Sequence, residues 1–400
     1  MKRTLMALLL VSLATITVNA QDTRERWTEC LRVFSPAPCS EVTGQVKVKL
    51  QAKGMEHVVA RCYVSRSKGK PKELVLTPKG IKLDRKGMGT FNLPAKKLPY
   101  GPLTVQITAN NAAGECDLYE LQLYNAAGNR RTTSAGIPDT IPLAARGMQL
   151  VYCDDFDGPL SISHDGRGAR YNAHKPTFGD FSGWPFSDPE GEQNPFRQRD
   201  TYLIIRAHKA EGTRGSTGLI ATVDMDGNGF RAKPPCYMEC RLMAQSAPGT
   251  WPAFWTITNI HRGEGDELDV IEAYGGWGEG NPNNTGYWVT SHFWNQTDEQ
   301  GKPLEHPGKL IKMTAGKLGT SWNQTFHTYG LRVDSLTTTY YLDDEEVWSH
   351  PTGSYSFQQP HVILINYAIG GASGWKINLE RYKNTSEMYV DYLRVFELQK

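Results

Sequence analysis

The sequence predicts an all-β protein made of two β-sandwiches, a small one near the amino terminus and a larger, concanavalin-like jelly roll behind it. Three observations support this fold class. Apolar and polar residues alternate in short runs along most of the chain, which is the pattern of half-buried strands. Gly, Pro and Asn separate these runs at short intervals, and no amphipathic helical repeat competes with them. With 400 residues, the chain is also too long for one ordinary domain.

The first twenty residues predict a secretory signal peptide. Lys2 and Arg3 precede an apolar run over 5–18, and small or apolar residues lead up to Ala20. Cleavage after about Ala20 would give a secreted or periplasmic protein. The apolar run is too short to span a bilayer, and no later stretch reaches about 18 apolar residues. We therefore expect no transmembrane segment.

Residues 21–125 predict an accessory β-sandwich of immunoglobulin-like type. Alternating runs such as VKVKL (46–50) and LTVQIT (103–108) are separated by frequent turn residues, as in small antiparallel sandwiches. The following residues, 126–147, lack periodicity and are typical of a linker. The second domain would then occupy residues 148–400.

The seven cysteines leave at least one thiol unpaired, although export would permit disulfides. Two pairings are open: Cys30–Cys39 would close a short loop, and Cys62–Cys116 would staple the small sandwich. Buried thiols explain the remaining cysteines equally well, and these are Cys153, Cys236 and Cys240.

The formal net charge of +2 conceals two oppositely charged parts. Residues 21–147 contain 20 bases and 11 acids (net +9), whereas residues 148–400 contain 22 bases and 31 acids (net −9). A general nucleic-acid binder is disfavoured, because it needs a positive surface beside groups that read bases. A solvated Lys-rich surface is the simplest explanation of the basic part. The alternative is docking, either on the acidic partner domain or on an anionic glycan.

Strand-like runs continue through residues 148–400, for example YLIIRA (202–207) and VILINY (362–367). The absence of alternating strands and helices argues against a parallel α/β sheet. About 250 residues of strands and turns fit one large antiparallel jelly roll.

The stretch DELDVIEAY carries the most chemistry. Glu267 and Asp269 share one face of a regular strand, whereas Glu272 would face the core. A β-bulge at Val270–Ile271 would return Glu272 to the face of the other two acids. Three adjacent carboxylates repel, so at least one should keep its proton to a higher pH. A retaining glycosidase uses such a pair: one carboxylate attacks the anomeric carbon, and the other protonates the leaving oxygen.

The surroundings of this stretch favour catalysis over simpler explanations. Acids alone would fit a solvated strand face, or a calcium site that includes Asp266. Tryptophan-rich segments, however, lie just before and just after the acids, GTWPAFW (249–255) and WVTSHFW (288–294). Trp288, His292 and Trp294 share one strand face. Indole rings stack on the apolar faces of sugar rings, so these residues predict a sugar-binding groove.

The landmarks together resemble glycoside hydrolase family 16, which includes laminarinases, agarases, porphyranases and κ-carrageenases. The resemblance covers residues 148–400. The five segments that carry it, in the order of the family, are LVYCDDFDG (150–158), GTWPAFW (249–255), ELDVIE (267–272), LINYAIGG (364–371) and YVDYLRVF (389–396).

The resemblance implies a jelly roll with a long groove across one sheet. It implies Glu267 as the nucleophile, Glu272 as the general acid/base, and Asp269 between them, tuning the nucleophile. No organic cofactor is required. Some members hold a structural calcium near the opening and closing strands, and Asp391 would be its ligand here. The predicted substrate-binding residues, from the resemblance and from the shared strand face, are Trp251, Trp255, Trp288, His292, Trp294 and Asn366.

The expected function is a secreted, endo-acting, retaining β-glycan hydrolase with a polysaccharide or oligosaccharide substrate. The acidic half shows no cluster of arginines for sulfate or uronate, which favours a β-1,3- or mixed-linkage β-glucan. The stretch DVIEAYG (269–275) is instead similar to galactan hydrolases. A β-galactan (agar, porphyran or carrageenan type, or a host β-galactosyl glycan) is therefore the alternative substrate. A lectin-like binding protein without catalysis is the alternative of another class.

Overall fold

A computed structural model describes residues 26–64, 70–130, 135–176, 179–261, 263–276, 286–313, 317–373 and 375–398. The predicted signal peptide lies outside these residues. Across the described ranges the chain is nearly all β-structure, with one five-residue α-helix, α1 (Ser354–Gln358), and short 3-10 turns. None of the helices in these ranges combines the length and the apolar character needed to cross a membrane.

The amino-terminal part forms two β-sheets. In β4, residues 48, 50 and 52 are buried whereas Lys47 and Lys49 are exposed, which is the alternation that the sequence predicts. One sheet has the order β1-β9-β8-β5-β6, with β3 added on β9, and the other has the order β2-β4-β7. The immunoglobulin-like type stays a prediction. The strands described here are β1 (Arg26–Trp27), β2 (Leu31–Ser35), β3 (Ser40–Val42), β4 (Val46–Ala52), β5 (His57–Val64), β6 (Lys72–Val75), β7 (Met88–Leu93), β8 (Gly101–Asn110) and β9 (Glu115–Asn125).

Neither of the two candidate disulfides is formed, because Cys30, Cys39 and Cys62 are thiols in the structure. Cys62 lies on β5 and Cys116 on β9, and β8 separates these strands. Across β8, Cys116 is in register with His57, five residues from Cys62, so the two cysteines are about 20 Å apart. The amide of Leu31, which follows Cys30, donates to the carboxylate of Asp117 on β9. The amide of Cys39 donates to the backbone oxygen of Gln122, five residues further along β9. That offset amounts to about 16 Å, well beyond the reach of a disulfide.

The carboxy-terminal part folds as the predicted jelly roll of two eight-stranded sheets, within the described residues. The first has the order β13-β14-β25-β16-β21-β22-β23, with β10 added on β25, and the second has the order β11-β12-β15-β24-β17-β18-β19-β20. Its strands are β10 (Gln149–Asp154), β11 (Ile162–Ser163), β12 (Tyr171–Asn172), β13 (Phe196–Arg199), β14 (Tyr202–His208), β15 (Leu219–Ala221), β16 (Cys236–Ala244), β17 (Thr250–Ile257), β18 (Gly265–Glu272), β19 (Gly286–Trp294), β20 (Gly308–Lys312), β21 (His327–Val333), β22 (Thr337–Leu342), β23 (Glu345–Pro351), β24 (Val362–Ile369) and β25 (Thr385–Glu397).

The remaining cysteines differ in exposure. Cys236 and Cys240 are buried thiols of β16, in agreement with the expectation. Cys153 is exposed, so the expectation of a buried thiol was wrong there. Cys153 lies on β10, which pairs with β25 at the margin of its sheet and leaves that side chain outside the core.

The main hydrophobic core lies between the two large sheets and fixes the strand that bears the acids. Leu268, Val270 and Ile271 of β18 are almost fully buried, together with Phe254 of the adjacent β17. Every residue of β24 is buried. The core packs against four neighbouring strands of the second sheet, β24, β17, β18 and β19. Side chains on the opposite face of these strands can therefore converge on a rigid surface.

Side chains of the amino-terminal part contact the jelly roll through β9, whose last nine residues are all buried. Nη1 of Arg381 donates to both carboxylate oxygens of Asp117, at 2.9 and 3.0 Å. The rings of Tyr119 and Tyr382 lie 4.6 Å apart. The segment 126–147, predicted as a linker, joins β9 to β10, and its described residues include the short 3-10 turn Leu143–Ala145.

Candidate active site

The acidic strand β18 carries the predicted bulge. In its register with β17, Asp269 pairs with Trp255 and Glu272 pairs with Ala253. The two acids are three positions apart and their partners only two, so β18 contains one extra residue. The extra residue lies between Asp269 and Glu272, and the same irregularity appears in the pairing with β19. The apolar residues between the acids are buried in the core. Glu272 therefore returns to the face of Glu267 and Asp269.

The three carboxyl groups differ in how firmly they hold their protons. Burial, reinforced by the neighbouring Asp269, raises the pKa of Glu272 to about 8. Burial and the adjacent Glu267 raise the pKa of Asp269 well above its usual range. Burial also raises the pKa of Glu267, but the charge of His292 and a hydrogen bond from Trp294 oppose the rise. Glu267 is therefore the group best able to ionise at neutral pH.

Aromatic residues of β19 surround Glu267. Nε1 of Trp294 donates to Oε2 of Glu267 at 3.1 Å. The ring of His292 stacks on that of Trp294, with centroids 4.7 Å apart, and its Nε2 lies 3.2 Å from Oδ2 of Asp269. The buried Nδ1 of His292 has no hydrogen-bond partner among the described residues.

Two side chains hold Glu272. Nε1 of Trp251 and the hydroxyl of Tyr274 both donate to Oε1 of Glu272, at 3.2 Å each.

The tight path of the chain after Tyr274 requires glycine at position 275. A Cβ on Gly275 would lie 2.0 Å from Oγ1 of Thr250, since the backbone passes directly over the start of β17.

All nine predicted site residues line one cleft of about 640 Å³ on the outer face of the second sheet. Trp255 and Asn366 are largely buried in its floor, where Nε1 of Trp255 donates to Oδ1 of Asn366 at 2.8 Å. Trp294 is exposed at the rim. The nine residues are Trp251, Trp255, Glu267, Asp269, Glu272, Trp288, His292, Trp294 and Asn366.

Of the further residues that line the cleft, four have large side chains and were not predicted. Tyr274 directly follows the acidic signature, and its position two residues after Glu272 is a signal that could have identified it. Lys175, Phe181 and Trp375 come from loops, where no periodicity indicates the direction of a side chain. The ring of Phe181 lies 5.3 Å from Trp251, edge to face.

The donor groups present decide where a metal ion could bind. The calcium site suggested for Asp391 does not fit, because its fully buried carboxylate contacts the guanidinium of Arg241, which already neutralises it. Among the described residues, two groups of side chains place three potential ligand atoms within 4.8 Å of one another. One is Glu267, Asp269 and His292 in the cleft, and the other is His164, His174 and Asp188.

Comparison with known proteins matches a family model to the part of the chain that carries the three acids. The model for glycosyl hydrolases of family 16 matches residues 231–392. A beta-glucanase of Rhodothermus marinus is 24% identical over 178 residues, which are 40% of this chain and 56% of that protein. The chain thus spans little more than half the length of this relative.

Solved structures with a similar fold include the laminarinase catalytic domain of Thermotoga maritima MSB8. It is 17% identical with a TM-score of 0.49, and the match covers 64% of this chain and 100% of that one. Another was solved in work on endo-acting O-glycanases with which human gut bacteria initiate mucin breakdown. It is 18% identical with a TM-score of 0.46, over 63% of this chain and 100% of that one.

Proposed function

We propose that the chain is an endo-acting β-glycan hydrolase that retains the anomeric configuration, from the premise that its residues 231–392 match the model for glycosyl hydrolases of family 16. The observation that carries the proposal is the bulged strand β18, which presents Glu267, Asp269 and Glu272 on one face of an aromatic cleft. The cleft crosses four adjacent strands, about 14 Å at ordinary strand spacing, which accommodates several sugar units.

The reaction proceeds by double displacement. A carboxylate oxygen of Glu267 bonds to the anomeric carbon as the glycosidic C–O bond breaks, and the leaving oxygen takes the proton of Glu272. Water then attacks the same carbon, Glu272 accepts a proton from that water, and Glu267 leaves. Asp269 keeps its proton beside Glu267 and limits the negative charge in the cleft. The raised pKa of Glu272 keeps this acid protonated before each first step.

The proposed substrate is a β-1,3- or mixed-linkage β-glucan, supported by the relative described as a beta-glucanase. Product analysis on laminarin, lichenan, agarose, porphyran, carrageenan and mucin glycans tests this choice. We expect oligosaccharides from laminarin or lichenan, first released in the β configuration. Products from agarose, porphyran or mucin glycans alone would support the β-galactan alternative, which the sequence after Asp269 favours. No cleavage of any member of the panel would support the lectin-like alternative. The signal peptide predicted at residues 1–20 supports secretion or export to the periplasm.

The pH dependence of the reaction should report the proton of Glu272. The acid is active when protonated, so kcat/KM should fall as pH rises through about 8. The hydrogen bond from Tyr274 lowers the pKa of Glu272, and the change Tyr274→Phe should therefore move this alkaline limb to higher pH. The measurement is a kcat/KM profile from pH 4 to 10. Tyr355→Phe is the matched control, because Tyr355 bonds to Glu264 outside the cleft and should leave the limb in place. If the alkaline limb of Tyr274→Phe stays at the wild-type pH, the proton of Glu272 is not its source.

The amino-terminal part is proposed to dock on the jelly roll rather than on an anionic glycan. The buried pair Asp117–Arg381 supports this, as do the contacts of Glu120. Its backbone oxygen accepts from Nε2 of Gln245 at 2.7 Å, and its carboxylate accepts from the amide of Ser246 at 3.1 Å. The hydroxyl of Ser246 in turn accepts from the amide of Gly276, which lies two residues after Tyr274.

Loss of one partner of the buried pair should destabilise the whole protein. Arg381→Met leaves the carboxylate of Asp117 buried without its counter-charge, which should cost about 3 kcal/mol in the free energy of unfolding. Urea titration at pH 7 measures the effect. The control Arg26→Met removes an exposed pair with Glu115 and should cost less than about 1 kcal/mol. Equal stability of the two variants would contradict docking through this pair.

A further inference from the structure

A second cluster of potential ligands lies outside the catalytic machinery, and the proposed hydrolysis does not use it. Nδ1 of His164 and Nε2 of His174 each lie 2.7 Å from the same atom, Oδ1 of Asp188. The two imidazole rings are 5.1 Å apart and nearly perpendicular. The three residues are separated by 10 and 14 positions in sequence, so three different segments of the fold bring them together.

From this arrangement we infer that His164, His174 and Asp188 bind one divalent transition-metal ion of the zinc type. Two imidazole nitrogens and one carboxylate oxygen are a common ligand set for zinc. Zinc–ligand bonds of about 2.0–2.1 Å at tetrahedral angles place neighbouring ligand atoms about 3.3 Å apart. The two 2.7 Å contacts therefore need to open by only about 0.6 Å to admit the ion.

The surroundings suit a cation that enters from solvent. His164 and Asp188 are substantially exposed, with 66% and 39% of their side-chain surfaces accessible, so the fourth coordination position can be occupied by water. Asp165 and Glu190 add negative charge near His164. The site thus combines two imidazole ligands, nearby carboxylates and an open approach from solvent.

The ion would fasten both ends of a segment that borders the catalytic cleft. His174 directly precedes Lys175, a wall residue, and Phe181 lies between His174 and Asp188 in sequence. A bond from each end to one ion would restrict the movement of this segment. The site would therefore act as a clip that holds the wall, without touching substrate.

Metal binding to the full mature chain, purified without a histidine tag, tests the inference at pH 7.5 with Zn²⁺ as the probe. We expect one Zn²⁺ per chain by equilibrium dialysis and isothermal titration. A hundredfold excess over the dissociation constant should raise Tm by about 3 °C. The double change His164→Ala and His174→Ala should weaken binding at least about 100-fold and abolish the Tm shift, and Asp188→Ala should do the same.

Two control variants separate this cluster from other histidines. His57 is an exposed residue of β5 in the amino-terminal part, and His57→Ala should bind Zn²⁺ like the wild type. His292→Ala removes the second candidate group, Glu267, Asp269 and His292, and should also retain one Zn²⁺ if the inference holds. Binding lost in His292→Ala but kept in the double variant would overturn it, as would a wild type that retains no Zn²⁺.

Hydrogen exchange provides a readout of the clip that does not depend on activity. Zn²⁺ should slow amide exchange in peptides from residues 174–188 of the wild type and leave those of the double variant unchanged. Exchange that is equal with and without Zn²⁺ in the wild type would overturn the clip.

Discussion

Glu267→Gln should lower kcat on laminarin by at least about 10⁴-fold while substrate binding is preserved. The amide has nearly the shape of the carboxylate, but it cannot form the glycosyl ester on which the double displacement depends. The hydrogen bond from Nε1 of Trp294 can still be accepted by the amide oxygen, so the cleft should keep its geometry. Initial rates of reducing-sugar release measure the loss, and calorimetry with laminari-oligosaccharides measures binding.

Glu264→Gln is the matched control for this change. Glu264 lies just before β18 and is exposed, and its carboxylate contacts Tyr355 rather than the cleft. Its activity should stay within about twofold of the wild type. Full activity in Glu267→Gln would remove this residue from the reaction. If the wild type were inactive on every β-glycan and both proteins bound equally well, the enzyme function itself would fail.

Glu272→Ala should lower the turnover of polysaccharide by about 10²–10⁴-fold, because both proton transfers lose their donor and acceptor. The effect should depend on the leaving group, since an activated aryl glycoside needs little protonation to depart. Its glycosyl-enzyme should accumulate, because the second step lacks a base. Intact-protein mass spectrometry should show this adduct on Glu267.

Azide distinguishes the two glutamates by the configuration of the product. In Glu272→Ala, azide should attack the glycosyl-enzyme and give a β-glycosyl azide with restored turnover of the aryl glycoside. In Glu267→Ala, azide should replace the nucleophile and give the α-glycosyl azide. The reverse pattern would exchange the two roles. The alkaline limb near pH 8 should also disappear in Glu272→Ala and not in Glu267→Ala.

The acidic strand was predictable from sequence because its pattern conflicts with a regular strand. A buried glutamate at position 272 would be costly, and a bulge at 270–271 resolves the conflict, which is what the register shows. Trp288, His292 and Trp294 follow a period of two, so their common face was also predictable. The cleft residues from loops were not, since Lys175, Phe181 and Trp375 lie in no repeating pattern.

The disulfides and the contacts of β9 depend on strand order, which no local pattern specifies. Cys62 and Cys116 fit one small sandwich in sequence, but an intervening strand keeps them apart. Acidic side chains are usually solvated, whereas Asp117 and Glu120 are both buried here. The partner of Asp117, Arg381, is 264 residues away, and such a pairing becomes visible only once the chain is folded.

The burial of both faces of β9 has a consequence for the evolution of this chain. Domains that share few contacts can be exchanged without loss of stability, whereas extensive buried contacts between two parts of a chain oppose such an exchange. Here a newly acquired front domain would have to supply an acid opposite Arg381, a tyrosine against Tyr382 and an acceptor for the amide of Ser246. We therefore expect the two halves to be inherited together, with compensating substitutions on both sides of the contact.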